Sequence, residues 1–301
     1  MTSKPKHVSV CICTYKRPQL LKRLLEELDR QDTGALFTWS IVVADNDCLR
    51  SAEPVVQEHA AVAAVPVKYC VEPCQGIARA RNTATGNAGG DFIAFLDDDE
   101  FPTRGWLAAL YRTCEEHGVD GALGPVQPLF DEHAPAWVVN GGFYDRPDYL
   151  TGLTLDWKKT RSGNVLFKRN LLREVQPAFR PEFRSGDDQD FFRRLIGAGH
   201  KFVWCSEAIV YEVVPPVRWK RMVILKRALL RGSMAALDPT LGPWGIVKSL
   251  VAILVYAAAL PFALAMGQRW FMPLLAKFCD HLGKLLALVG VNLIQEQYVI
   301  G

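Results

Sequence analysis

The chain has 301 residues, 50% of them hydrophobic and 22% charged, with a net charge of +3 at pH 7 and a mean hydropathy of +0.05. That length suits two ordinary domains or one large α/β domain with an extension, and the composition excludes a collagen-like, disordered or disulfide-stapled chain. Charge is unevenly spread. From Pro215 onward ten Lys/Arg face three acids, so a basic tail of +7 follows a body of −4, an asymmetry that points to two tasks.

Residues 8–13 read as a buried strand, and Pro18 opens a helix with Leu20, Leu21, Leu24, Leu25 and Leu28 on one face. Residues 39–44 form a second predicted strand, 52–63 a helix and 65–71 a third strand. Gly76 opens a short helix over 77–88, and 92–96 is a fourth strand. Strands separated by helix-length segments predict an α/β fold, a Rossmann-like, mostly parallel sheet with helices on both faces. Beyond Trp106 come a helix to His117, a strand over 121–129 and a Gly/Pro/aromatic loop to Thr160. A further helix starts at Gly186 and buries Phe191, Phe192, Leu195 and Ile196. The eight cysteines form no CxxC pair, and no histidine cluster has zinc-ligand spacing. They read as reduced, structural thiols of a cytosolic compartment. The apolar stretch 8–13 is too short for a signal peptide.

In such a sheet the ligand crevice lies beyond the carboxyl ends of the strands, and those positions are polar. Thr14, Tyr15, Lys16 and Arg17 follow the first strand, and Asp45, Asn46 and Asp47 the second. Glu72 and then the Gly76–Asn82 stretch follow the third, and Asp97-Asp98-Asp99-Glu100 the fourth. Crowded carboxylates repel, and each raises the others' pKa unless a cation neutralises them. A hard divalent ion, Mn²⁺ or Mg²⁺, is the natural partner and commonly shares its shell with substrate phosphates. A solvated acidic turn is the plainer alternative, and the position at the sheet's carboxyl edge argues against it.

These pieces, 8–17, 41–47, 76–82, 92–99 and 186–190, stand in an order that resembles the family 2 glycosyltransferases of GT-A fold, over about residues 8–231. The resemblance implies a nucleotide-diphosphate sugar donor, a divalent metal and inversion at the anomeric carbon. By the same resemblance, Thr14, Tyr15 and Arg17 surround the uridine, and Asp45 receives the base N–H. Arg81 and Asn82 match helix-opening donor contacts, and Asp97 and Asp99 end a DxD motif. Within it Asp98 touches the ribose and Asp99 holds the metal. Asp188 matches the general base, with Asp187 in place of the usual Glu. Glu212 stands where many members carry a metal-binding His and is kept as a third ligand, since a carboxylate suits a hard ion. Gly163 and Asn164, in the Ser162-Gly-Asn-Val run, resemble the acceptor-side loop, although a simple turn explains them equally.

The residue types suit this reaction. A carboxylate within reach of a sugar hydroxyl removes its proton as it attacks, while negative charge collects on the departing diphosphate. Arg218, Lys220 and Arg227 are candidates to close over those phosphates, or equally to coat a solvated or lipid-facing helix.

The tail divides into a basic amphipathic segment over 218–231, a charge-free run over 249–267 and a one-sided apolar segment over 270–294. Nineteen uncharged residues span roughly 28 Å as a helix. The expected organisation is a catalytic domain over 1–214, a basic amphipathic segment or linker over 215–240 and a membrane-associated helical region over 241–301. Lys/Arg-rich flanks favour the cytoplasmic membrane face. The expected activity is hexosyl transfer to a lipid-linked saccharide or lipid carrier. A soluble-acceptor transferase is the alternative within the class. A nucleotidyltransferase would show a Gly-rich phosphate loop where Thr14–Arg17 stand, and a non-enzymatic sensor would not need Asp188. Nucleic acid is not an expected partner, because the basic residues accompany an apolar run. Oligomeric state is not legible.

Overall fold

A computed structural model describes residues 5–183, 186–236 and 241–291. The last residues of the predicted 270–294 segment, and parts of the predicted linker and tail regions, lie outside that set. The chain opens as β1 (His7–Thr14), α1 (Pro18–Leu28), β2 (Thr38–Asp45), α2 (Glu53–Ala60), β3 (Val67–Val71), α3 (Ile77–Asn87) and β4 (Phe92–Asp97). Then follow β5 (Glu100–Pro102), α4 (Trp106–His117), β6 (Gly121–Leu123), β7 (Val126–Leu129) and a single turn, α5 (Ala136–Val139). The remainder is β8 (Val165–Lys168), α6 (Leu171–Glu174), α7 (Asp187–Gly197), β9 (Phe202–Trp204), β10 (Val210–Val213), α8 (Arg221–Ala236), α9 (Pro243–Ala265) and α10 (Gln268–Leu288).

Seven strands form one sheet in the order β3-β2-β1-β4-β8-β6-β9. β8 runs antiparallel to both its neighbours, and the other pairings in register are parallel. β1 is buried on both faces from Val8 to Ile12, as a strand covered by helices above and below must be. The helix α1 begins with Pro18 at its first turn and buries Leu21, Leu24, Leu25 and Leu28, the i, i+3, i+4, i+7 stripe of a core-facing helix. An aromatic cluster of Phe95, Phe167, Phe179, Phe191, Phe192 and Phe202 fills the other side. All eight cysteines are free. Burial pushes the Cys11 thiol well above its usual value, as expected for a thiol serving as a small hydrophobe.

Two readings need correction. The run 121–129 is two strands: β6 lies in the large sheet and β7 in a three-stranded sheet, β5-β10-β7. Gly124-Pro125 separates them. Pro125 has no N–H for a ladder, and a Cβ at Gly124 would lie 2.3 Å from the Ala208 carbonyl oxygen. The amphipathic segment expected over 215–240 contains helix α8 and packs into a core, so it does more than link. The described residues form two compact units, one of residues up to Gln127 with those of Arg146–Glu212, the other of Pro128–Asp145 with the described residues from Val213 onward.

In that second unit Val138, Tyr144, Val214, Ile224, Ala228, Ala276 and Cys279 share a core. The loop before Arg146 supplies aromatic rings to it, which the sequence did not reveal. The helices α8 and α10 meet at glycines. A Cβ on Gly232 would sit 1.9 Å from the Asp280 carbonyl oxygen, and one on Gly283 would sit 2.2 Å from that of Leu229. Arg231 clamps Asp280 with two bonds of 2.9 and 2.6 Å at the same crossing. α9 passes through Pro261 unbroken, and the chain turns at Gly267 into α10.

Glycine therefore means opposite things at two helical positions. A Cβ at Gly86, in α3, meets nothing within 4 Å. Gly86→Ala should stabilise the protein by up to about 1 kcal/mol through helix propensity. Gly283→Ala carries the same propensity gain, yet should destabilise by about 1–3 kcal/mol net because α8 and α10 must separate. Thermal unfolding of the two variants should show shifts of opposite sign.

Candidate active site

Register alone lines up the crevice. Thr14 lies opposite Asp45, Asp45 opposite Val71, and Cys13 opposite Asp97. The loops leaving β1, β2, β3 and β4 therefore emerge side by side. Asp45 is fully buried. Its carboxylate accepts the backbone N–H of Asp47 at 3.0 Å and of Ala52 at 2.8 Å, and the Tyr69 hydroxyl at 2.9 Å. Asn46 donates to the carbonyls of Glu72 and Cys74 and accepts the Gly76 N–H. The Asp-Asn pair thus builds the loops after β2 and β3 from inside. Asp45 is an organiser of this wall, and most of its acceptor capacity is spent on its own chain.

The acidic run faces the end of β1. Asp98 accepts the Thr14 hydroxyl at 2.8 Å and Arg17 at 3.1 Å, and Arg17 reaches Asp99 at 3.4 Å. Burial pushes the Asp98 carboxyl up to about 6 against the pull of Arg17. Asp97 is likewise pushed up to about 6, by burial first and then by Asp99 and Glu212, with Arg81 opposing. Tyr15 is half-buried, with the Lys16 ammonium 5.2 Å from its ring centre.

Glu100, which no motif singles out, belongs to this cluster. It is 1% exposed, accepts the Asp97 N–H at 3.1 Å and is pushed well above the carboxylate range by burial and by Asp97. Glu212 in β10 pairs in register with Glu100 in β5, and Arg146 forms an ion pair with Glu212. Gly163 passes against these acids. A Cβ there would lie 2.6 Å from Glu100 Oε1 and 3.2 Å from Asp97 Oδ2, so its role is to leave room.

Asp187 and Asp188 lie in the first turn of α7, where the helix dipole favours negative charge. They differ in kind. Asp187 is buried against Arg81 at 2.7 Å. Burial works against the Arg81 charge, but Asp187, Asp188 and Asp97 outweigh it. Arg81 is therefore bonded to Asp187 of α7 and near enough to Asp188 and to Asp97 of β4 to feel both charges. Asp188 is half-buried, and its Oδ2 accepts the Ser162 N–H at 3.0 Å and hydroxyl at 3.3 Å. Asp190, the other carboxylate of this turn, is held by Arg180, Arg193 and Arg194.

Two predicted site residues are locked elsewhere. Asn82 exchanges two hydrogen bonds with the Phe179 backbone. Asn164 is fully buried, accepting Trp106 Nε1 at 2.7 Å and donating to the carbonyls of Pro125 and Ala208. Its side chain pins the turn at Gly124-Pro125, leaving no amide group for an acceptor. A second residue without a sequence role is Arg161. Burial, and then Arg146, push its guanidinium down to about 10, it lies 5.7 Å from the Trp204 ring centre, and its Nε is buried without a partner among the described residues.

Crowded oxygen donors suit a hard divalent cation, and Asp97 is such a donor beside Asp99 and Glu212, whose charges both push its carboxyl upward. Among the described residues, no three His, Cys, Asp or Glu side chains are already arranged around a metal position.

The raised Asp97 makes a pH prediction. The folded protein holds that proton up to about pH 6, whereas an unfolded aspartate releases it near pH 4. The folded state binds more protons between those values, so stability falls as pH rises through the window and the penalty is complete above it. With metal chelated, Asp97→Asn should raise the melting temperature at pH 7.5, for a gain of about 3 kcal/mol, and raise it far less at pH 4.5.

The sequence profile described as glycosyl transferase family 2 matches residues 9–175, a stretch that ends before Asp187. The succinoglycan biosynthesis protein ExoM of Rhizobium meliloti is 31% identical over 238 residues, covering 77% of this chain and 75% of that protein. The mannosyltransferase PcManGT of Pyrobaculum calidifontis, solved with GDP-Man and Mn²⁺, superposes with a TM-score of 0.62 at 18% identity, covering 96% of this chain and 87% of its own. Staphylococcus aureus TarS 1-349 with UDP-GlcNAc gives 0.54 at 18% identity, covering 95% and 92%. These two structures share the fold.

Proposed function

The chain belongs to glycosyl transferase family 2, a sugar-nucleotide-dependent glycosyltransferase of GT-A fold, and on that premise we propose an inverting, metal-assisted transferase acting at a membrane. The donor is a UDP-sugar, and the acceptor is a hydroxyl of a lipid-linked saccharide or lipid carrier at the cytoplasmic face. One observation carries the chemistry. The acids at the end of β4 and the half-buried Asp188 of α7 converge at one sheet edge, joined through Arg81.

Asp188 is the general base. Ser162 fixes one of its oxygens from two directions, which orients the carboxylate to take the hydroxyl proton. Asp187 cannot share that task while it is buried against Arg81. Thr14 and Arg17 hold Asp98 beside the donor pocket, and the N-terminus of α3 after Gly76 offers N–H groups suited to phosphate. Mn²⁺ or Mg²⁺, held by Asp99 with Asp97 and Glu212, would supply positive charge against the departing diphosphate. UDP is favoured by the resemblance of Thr14, Tyr15 and Arg17 to uridine-contacting positions. TarS 1-349 was solved with UDP-GlcNAc and PcManGT with GDP-Man, so a hydrolysis screen over UDP- and GDP-sugars with Mn²⁺ is the direct test of the donor. Turnover of GDP-sugars alone would overturn the UDP assignment.

Asp188→Asn should lower turnover at least about a hundredfold while donor affinity stays near that of the unaltered protein. Steady-state kinetics with nucleotide titration separates the two. Retained turnover would place the base elsewhere.

Membrane attachment rests on the second unit. α9 is the one described helix long and apolar enough to cross a membrane, and only 11% of its most apolar window is buried. Trp244, Leu254 and Phe262 stand exposed along it, and 23 residues reach about 34 Å. Basic residues from Arg218 to Arg231 precede it and favour the cytoplasmic side by about 1 kcal/mol each near anionic lipid. The full-length protein should sediment with membranes, resist alkaline carbonate and come free in detergent. Recovery in the soluble fraction without detergent would overturn this part.

A further inference from the structure

The acid cluster carries its own cation. Arg17 is engaged by Asp98 and Asp99, and Arg81 by Asp187. Arg146 forms an ion pair with Glu212, the carboxylate placed in register with buried Glu100 and close enough to Asp97 to raise it. Arg146 also sits differently from the other arginines. Its side chain is 33% exposed against 15% for Glu212, and it belongs to no helix or strand. A guanidinium on irregular chain with a third of its surface in water can leave its partner without breaking secondary structure.

We propose that Arg146 is a built-in counter-ion that competes with the divalent metal for Glu212, so that metal loading and Arg146 release are one event. This rests on the metal-assisted reading above. Without metal, Arg146 offsets the repulsion among Asp97, Glu100 and Glu212, and the acids can remain together in the folded protein. When metal takes Glu212, the freed guanidinium remains beside the site, where the diphosphate is its natural bidentate partner. Donor and metal then bind cooperatively, because each removes a competitor of the other.

The test is Mn²⁺ titration of the full-length protein in detergent without nucleotide, where Arg146 has no diphosphate to engage, read by the electron paramagnetic resonance of free Mn²⁺. Arg146→Met keeps the stem and removes the charge, with Arg146→Gln as a second variant should the first not fold. Either should bind Mn²⁺ about three- to tenfold more tightly, the range for losing a half-exposed charged hydrogen bond. Glu212→Gln should bind more weakly, and removing Arg146 from that background should add nothing. Equal or weaker binding by the Arg146 variants overturns the inference and leaves the metal reading standing. So does a gain that persists in the double variant, since Arg146 would then act through its general field. Mn²⁺ binding by Arg146→Met with none by the unaltered protein supports the competition. No binding by any variant, even once UDP is added, overturns both readings.

Discussion

Repulsion among carboxylates at the end of β4 is the constraint around which the first unit is organised. Asp97, Asp98, Asp99 and Glu100 follow one another along the chain, and the β5–β10 register brings Glu212 beside them. Three of the run, Asp97, Asp98 and Glu100, are pushed upward chiefly by burial. Removing water from such groups is costly unless charge is returned to them. The arginines return it from separate elements: Arg17 after β1, Arg81 in α3, Arg146 from the loop before β8. Each arginine fixes one wall of the crevice to another, so the electrostatic answer to the crowding also sets the crevice's shape.

This explains which parts were legible in the sequence. The strands and helices through β4 follow from apolar periodicity and from Pro18 and Gly76, and the polar strand ends locate the crevice by topology. The type of a residue at a strand end, however, does not say which way its acceptor capacity is spent. Asp45 looks like a ligand contact, yet it and the adjacent Asn46 bond mainly to their own loops. Asn164 looks like an acceptor-side residue and is a fully occupied internal amide. Glu100 and Arg161 drew no role because a lone acid after a run of acids, or a lone arginine before a Ser-Gly-Asn turn, carries no period or spacing. Only β5–β10 pairing and the depth of the loop make them members of the site.

The second unit was read least well, for a related reason. Amphipathic spacing shows that a helix has an apolar face but not what meets it. Gly232 and Gly283 appear in the sequence as isolated helix-weakening residues, yet their missing Cβ atoms are what let α8 and α10 touch backbone to backbone. Likewise Phe130, Trp137, Phe143 and Tyr144 sit in a stretch that reads as a loop of the first unit. Their rings pack instead among themselves and against residues of α8 and α10, and the Tyr144 hydroxyl donates to the Arg218 carbonyl at 2.5 Å.

That packing changes how the basic segment over 218–231 should be understood. Its Arg231 is committed to Asp280 by a two-bond clamp, and Arg227 lies 5.1 Å from the Tyr144 ring centre. These two cations serve the interior organisation of the helical unit. A bidentate pair and a ring contact fix side-chain position at close range, whereas attraction to an anionic surface needs only charge within a Debye length. The same positive segment can therefore meet both demands. Arg227 and Arg231 order α8 against its neighbours, and under the proposed membrane attachment Lys220, Arg221 and Lys226 remain on the segment to supply charge to the lipid surface. The net charge of the tail, visible from composition alone, overstates the number of cations free for that second purpose.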